Sequence, residues 1–224
     1  MIMCSSPCLF TASKTGLAAS RMINLDSLSS LATLVSTGLE LMCMRALQGV
    51  SITSNAILSP RDTAAEGQLW LEENALERAE ADRPVSVIRA SNVQGVPISG
   101  PPGNGILHRW ANESQIGWIN VPGTGDDVKD LVHVEDLVRV ILSVLDNPPP
   151  TRESFAVGTG KGITMNELAN IYNQKTGASV ELNQSSEGEV WGIVDAWFLD
   201  HRCGFKPSIS LEEMIEEALA ASGY

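Results

Sequence analysis

The side chains with chemistry to offer gather in one stretch, residues 85–134. It reads Val85-Ser-Val-Ile-Arg89-Ala-Ser-Asn92-Val-Gln-Gly95, then a Gly/Pro loop, then Lys129-Asp-Leu-Val-His133-Val134. The first part is a short apolar run with β-branched residues, stopped by Asn and Gly, which is the pattern of a buried strand. A strand that runs into a Gly/Pro loop is a common way to build a pocket at the carboxyl end of an α/β sheet. At that place Asn92 offers an amide to a ligand, or simply turns the chain after the strand. Lys129 offers a point charge to an anion but not the two-pronged grip of an arginine; its plainer role is that of a surface lysine. His133, inside an apolar run, reads as a core histidine with its ring satisfied.

Other chemistries fit the residues less well. Gly158-Thr-Gly-Lys-Gly162 lacks the spacing of a phosphate-binding P-loop and reads as a tight turn before a helix. No serine sits in a Gly-x-Ser-x-Gly elbow, so a Ser/His/Asp triad has no anchor. Cys4, Cys8, Cys43 and Cys203 do not form a Cys-x-x-Cys pair, and with three scattered histidines no metal site is expected. Free thiols fit a reducing cytoplasm. The formal net charge of -12 argues against nucleic acid or an anionic membrane as partner, though a local lysine still suits a small anion. No apolar run is long enough to span a membrane. Met1 is not followed by the charged and apolar segments of a signal peptide.

These residues need a scaffold, and the periodicity supplies one. Residues 1–24 read as a ragged strand around Leu9 and Phe10 followed by loop. Residues 26–47 carry apolar positions at helical spacing, and Val50-Ser-Ile-Thr-Ser54 reads as a strand. Residues 63–82 are helical, with Leu69, Leu76 and Ala79 on one side and glutamates opposite, until Pro84. Residues 95–125 read as a loop around a short helix at 106–110. A helix over 135–146 ends at Pro148-Pro-Pro150, and a strand over 155–157 follows. Thr164-Met-Asn-Glu167 and Ser210-Leu-Glu-Glu213 are capping boxes, each opening a helix. Alternating helices and strands predict an α/β fold, with strands 50–53, 85–89 and 155–157 parallel in one sheet.

The motifs, in their order, resemble the extended short-chain dehydrogenase/reductase family of NAD-dependent epimerases and dehydratases. Arg89-x-x-Asn92-Val-x-Gly95 resembles that family's Arg-x-x-Asn-Val-Tyr-Gly. Lys129-Asp-Leu-Val-His-Val-Glu-Asp136 is similar to its Arg-Asp-Phe-Val-His-Val-Asp-Asp. Phe155-Ala-Val-Gly158 with the helix that follows, and Asp195 with Gly204-Phe-Lys-Pro207 and Ser210-Leu-Glu-Glu213, are similar to its later motifs. The resemblance covers about residues 50–224. It implies a partial Rossmann-like parallel sheet with a small C-terminal substrate-binding lobe, over one domain spanning residues 1–224. It implies NAD or NADP as cofactor, near Ala90 and Ser91. It implies a nucleotide sugar or similar carbonyl/alcohol substrate touched by Asn92 and Lys129, with Ser54 as the candidate catalytic hydroxyl. Arg89 is expected to be structural, tying loops together.

Two family motifs have no counterpart. No Gly-x-x-Gly-x-x-Gly occurs before residue 50. Laid on the Tyr-x-x-x-Lys pattern, Pro60 stands at the tyrosine and Ala64 at the lysine. The chain therefore reads as the back half of such an enzyme, truncated at its N-terminus. The competing reading is a non-catalytic remnant that binds a ligand or forms a homo-oligomer.

Overall fold

The computed structural model describes residues 8–14, 17–23, 42–45, 48–54, 63–96, 105–183 and 193–224, with side chains from Gly67 onward except at residue 68. The strands are β1 (Cys8–Lys14), β2 (Leu17–Ile23), β3 (Met42–Arg45), β4 (Gln48–Ser54), β5 (Val85–Ala90), β6 (Asn92–Gln94), β7 (Trp118–Pro122), β8 (Val128–His133), β9 (Arg152–Val157), β10 (Gly162–Thr164) and β11 (Ser179–Asn183). The helices are α1 (Thr63–Glu77), α2 (Ile106–Gln115), α3 (Val134–Asp146), α4 (Met165–Thr176), α5 (Trp197–Cys203) and α6 (Leu211–Ala221).

β4, β5 and β9 lie side by side and parallel, as the alternation of elements predicts. They form one half of a six-stranded sheet of order β2-β1-β3-β4-β5-β9. The other half is antiparallel. The sheet is thus Rossmann-like in part, and the fold is α/β. Val87 and Ile88 of β5 are completely buried, as expected of a strand covered on both faces.

Strand β8 joins this sheet's layer to a smaller C-terminal lobe. It pairs with β6 in parallel and with β10 in antiparallel fashion. Successive strand residues point to opposite faces, and β8 uses both. Val132 packs with Ile88, Leu137, Ile141 and Phe155 in the core beneath α3. Leu131 packs with Trp110, Met165, Tyr172 and Ile215 in the core of the lobe. In that second core Trp110 meets Tyr172 edge to face at 6.0 Å, a contact worth about 0.5–1.5 kcal/mol beyond burial.

Helix starts follow their caps. Thr164 and Ser210 each accept from the amide three residues on, and Glu167 and Glu213 return the bond, so both boxes close as read. α3 is capped by His133, whose ring accepts from the Glu135 amide.

Four readings are corrected. The helix expected over residues 26–47 gives way at its end to β3, which hairpins onto β4; residues 26–41 lie outside the described residues. A run as short as Met42-Cys-Met suits strand as well as helix, and periodicity does not separate them. The loop expected after Phe10 is instead a β1–β2 hairpin. Within residues 95–125 the helix runs on to Gln115, and Trp118–Pro122 forms a strand beside β11. α1 stops at Glu77, and its glutamates are not all solvated: Glu72 is 2% exposed and faces the sheet, while Trp70 faces solvent.

Candidate functional site

Parallel pairing brings the first group of site residues level. Ser54 pairs with Ala90, and Ala90 with Val157, at the carboxyl ends of β4, β5 and β9. The Ser91 amide donates to the Val157 carbonyl at 2.8 Å, carrying the alignment one residue further. Ser54, Ala90, Ser91 and Asn92 therefore share one sheet edge, the place where open α/β sheets bind ligands. The Ser54 side chain and Pro60 lie outside what the structure describes, and Ala64 falls in the first turn of α1. Asn92 is half-buried and opens β6 opposite Leu131.

Lys129 stands two residues before Asn92's partner on β8, opposite Ile163. It is 7% exposed, so the surface-lysine alternative is excluded. By strand alternation it shares a face with Leu131 and His133.

Arg89 is structural, though it ties different elements from those expected. Its guanidinium grips the buried Glu72 carboxylate, with Nε to Oε2 at 3.1 Å and Nη2 to Oε1, while the Ser154 hydroxyl adds a bond at 3.3 Å. It pins β5 to α1 rather than loop to loop. A carboxylate this deep is tolerable only when paired and hydrogen-bonded.

The acids of the Lys129–Asp136 motif are also fixed by structure. Asp130 is completely buried and accepts four bonds, from the Thr159 amide (2.8 Å) and hydroxyl (2.6 Å), the Gly160 amide (3.0 Å) and the Val194 amide (3.1 Å). A Cβ at Gly158 would lie 2.6 Å from Asp130 Oδ2 and 2.7 Å from Val194 Cβ, so this close approach requires glycine. Residues 158–161 thus turn the chain as the sequence suggests, but Gly162 opens β10 instead of leading straight into the helix. Asp136, also completely buried, accepts from the Ser208 and Ile209 amides and from Arg139, and holds the start of the last helix in place.

His133 is the satisfied core histidine expected. Its Nδ1 accepts from the Glu135 amide at 3.2 Å, so the proton sits on Nε2, 2.8 Å from Glu217 Oε2. That bond, chiefly, holds the Glu217 carboxyl below the usual range. Burial pushes His108 below the usual histidine range, with Glu217 opposing. Tyr172 donates its hydroxyl to the Leu107 carbonyl at 2.6 Å, and burial raises its pKa well above the usual tyrosine range. It is a packing residue, not an acid/base.

Sequence reasoning passed over Glu217 and His108 and quoted Asp130 and Asp136 without roles. The legible signal was an aspartate inside an apolar strand, which demands buried partners. Nothing local identifies those partners.

The described residues do not fit the pyrophosphate of a dinucleotide. That group is held by a glycine turn between a strand and a helix N-terminus. Here the glycines before residue 50 are Gly16, Gly38 and Gly49, and β1 continues into β2 rather than into a helix.

No established family model matches the chain. A probable GDP-L-fucose synthase 1 of Oryza sativa subsp. japonica is 26% identical over 110 residues, 48% of this chain and 33% of that protein. Solved structures of similar fold include MoeE5 with UDP-glucose and NAD, at TM-score 0.66 and 19% identity over 78% of this chain and 64% of that one. A UDP-glucose-4-epimerase from Stenotrophomonas maltophila, with bound NAD and formylated UDP-arabinopyranose, has TM-score 0.66 and 16% identity over 79% and 63%. TunA, an NAD-dependent NDP-hexosamine 5,6-dehydratase, has TM-score 0.66 and 18% identity over 86% and 68%. The chain spans about a third of its curated relative and under two thirds of the first two structures. With its motifs in their order and three parallel strands aligned at one edge, the chain carries the fold of the extended short-chain dehydrogenase/reductase epimerases and dehydratases.

Proposed function

We propose that this chain is an NAD(P)-dependent epimerase/dehydratase-like protein that retains the sugar-nucleotide side of the fold without the hydride-transfer machinery. The ligand is a nucleotide sugar or a similar carbonyl/alcohol compound. One observation carries this reading: Ser54 and Ala90 are level at the carboxyl ends of the parallel strands β4 and β5, and Ser91 and Asn92 follow Ala90 directly. Asn92 holds the ligand by its amide, and Lys129 draws the diphosphate by charge. In relatives of this fold the cofactor supplies a transient hydride acceptor. Turnover is not expected here, because Pro60 and Ala64 stand where the family resemblance puts the proton-transferring tyrosine and its lysine. Such proton transfer contributes about 10²–10⁴-fold.

The test is calorimetric titration of UDP- and GDP-sugars into the wild type and Lys129→Ala, with circular dichroism confirming that both fold. Removing one charge-assisted bond of about 1.5–3 kcal/mol weakens binding roughly ten- to a hundredfold. No binding by the wild type, or equal affinity in the variant, refutes the ligand assignment. NAD titration by tryptophan fluorescence, using the five tryptophans, together with an epimerisation assay, tests the other half. Tight NAD binding with turnover would show that the reacting groups lie elsewhere in the chain.

A further inference from the structure

Residues of β6, Gly95 and Val96 after it, and residues of α2 and α6 line a small hollow. Gln94, Gly95, Val96, Gly105, His108 and Glu217 line it. Its volume for the centre of a guest is about 10 Å³, close to the roughly 10–15 Å³ that one water needs.

The polar groups around it are almost all engaged. Glu217 accepts a hydrogen bond from His133 Nε2–H and one from the Val96 backbone. Gln94 Oε1 accepts from the Leu107 amide at 3.2 Å. His108 is the exception. Its ring is 3% exposed, and its Nε2 has no hydrogen-bond partner. Buried ring nitrogens left unpaired are costly and rare. Among the described residues no group of three or more His, Cys, Asp or Glu is arranged for a metal. The Glu217 carboxylate repels an anion, and the space matches a single water.

We propose that this hollow binds one internal water molecule, held by His108 Nε2 and the Glu217 carboxylate. The water joins α2 to α6. An internal water of this kind makes two to four hydrogen bonds to groups otherwise unsatisfied, and it behaves as part of the structure.

The test uses the full chain. A crystal structure at high resolution is expected to show a solvent peak at hydrogen-bonding distance from His108 Nε2 and from Glu217. In solution, a long-lived cross-relaxation peak between water and the His108 ring proton is expected. His108→Phe removes the nitrogen and fills the space, so both signals vanish while the circular dichroism spectrum is kept. Glu217→Gln keeps an acceptor and so keeps the water. A wild-type hollow without the peak and without the cross-relaxation overturns the proposal, as does a water that stays in place in His108→Phe.

Discussion

Replacing Asp130 tests most directly how the β8 motif holds the lobe. Its two oxygens receive four donors at 2.6–3.1 Å with no solvent contact. In Asp130→Ala the Thr159 hydroxyl turns to the Lys161 carbonyl, 3.4 Å away in the native structure. The Val194 amide is buried and has no such alternative, while the Thr159 and Gly160 amides are part-buried and keep some access to water. Each buried donor left unpaired costs about 1–3 kcal/mol. Taking the low end for all three, because water enters the space left by the carboxylate, gives roughly 3 kcal/mol. Asp130→Asn keeps one carbonyl oxygen but turns an NH₂ toward the other donors, so about 2 kcal/mol is expected. The assay is urea unfolding followed by far-UV circular dichroism, with the midpoint lowered and the slope unchanged. For a chain of this size the Ala variant also melts roughly 6–12 °C lower. If Asp130→Ala lies within about 0.5 kcal/mol of the wild type, the ordinary effect of a surface change, then these four contacts do not stabilise the fold and the clamp argument fails.

Gly95 has φ 141°, and a Cβ added there would sit 2.5 Å from Val134 Cγ1, so Gly95→Ala should cost about 1–3 kcal/mol; a neutral effect in the same urea assay would contradict this geometry. Ser210→Ala removes an N-cap acceptor and should cost about 1 kcal/mol, read as a lower midpoint, whereas an unchanged midpoint would show that the last helix does not depend on its cap. Burial lowers the pKa of His108 in the folded chain, with Glu217 opposing. As pH falls from 8 through about 6.5, the unfolded chain takes up the His108 proton first, so stability declines. His108→Phe should flatten this decline between pH 8 and 5.5, and an identical slope in the variant would remove His108 as its source.

The sequence made the outline legible where local signals agree. The strands at 50–54 and 85–90 show β-branched runs bounded by polar breaks, and both helices opened by capping boxes begin where Thr164 and Ser210 place them. His133 was readable as a core histidine because it sits between apolar neighbours. What failed was whatever depends on distant partners. Glu72 looks like one of several solvated helix glutamates until Arg89, seventeen residues on, turns it inward. Lys129 looks exposed because lysine usually is, yet β8 lies between two cores and buries it. Nothing near Glu217 in sequence announces that its partner is His133, 84 residues earlier.

The reach of the two β8 aspartates has a kinetic consequence. Asp130 binds amides 29, 30 and 64 residues away, and Asp136 binds amides 72 and 73 residues away. Closing loops of such length costs entropy before the contacts return it. These clamps are therefore expected to form late in folding, after the helices and the β4–β5 pairing. Weakening them should quicken unfolding and leave the refolding rate nearly untouched. In a denaturant series Asp130→Asn is expected to raise the unfolding limb alone; a drop in the refolding limb would instead put β8 in the nucleus.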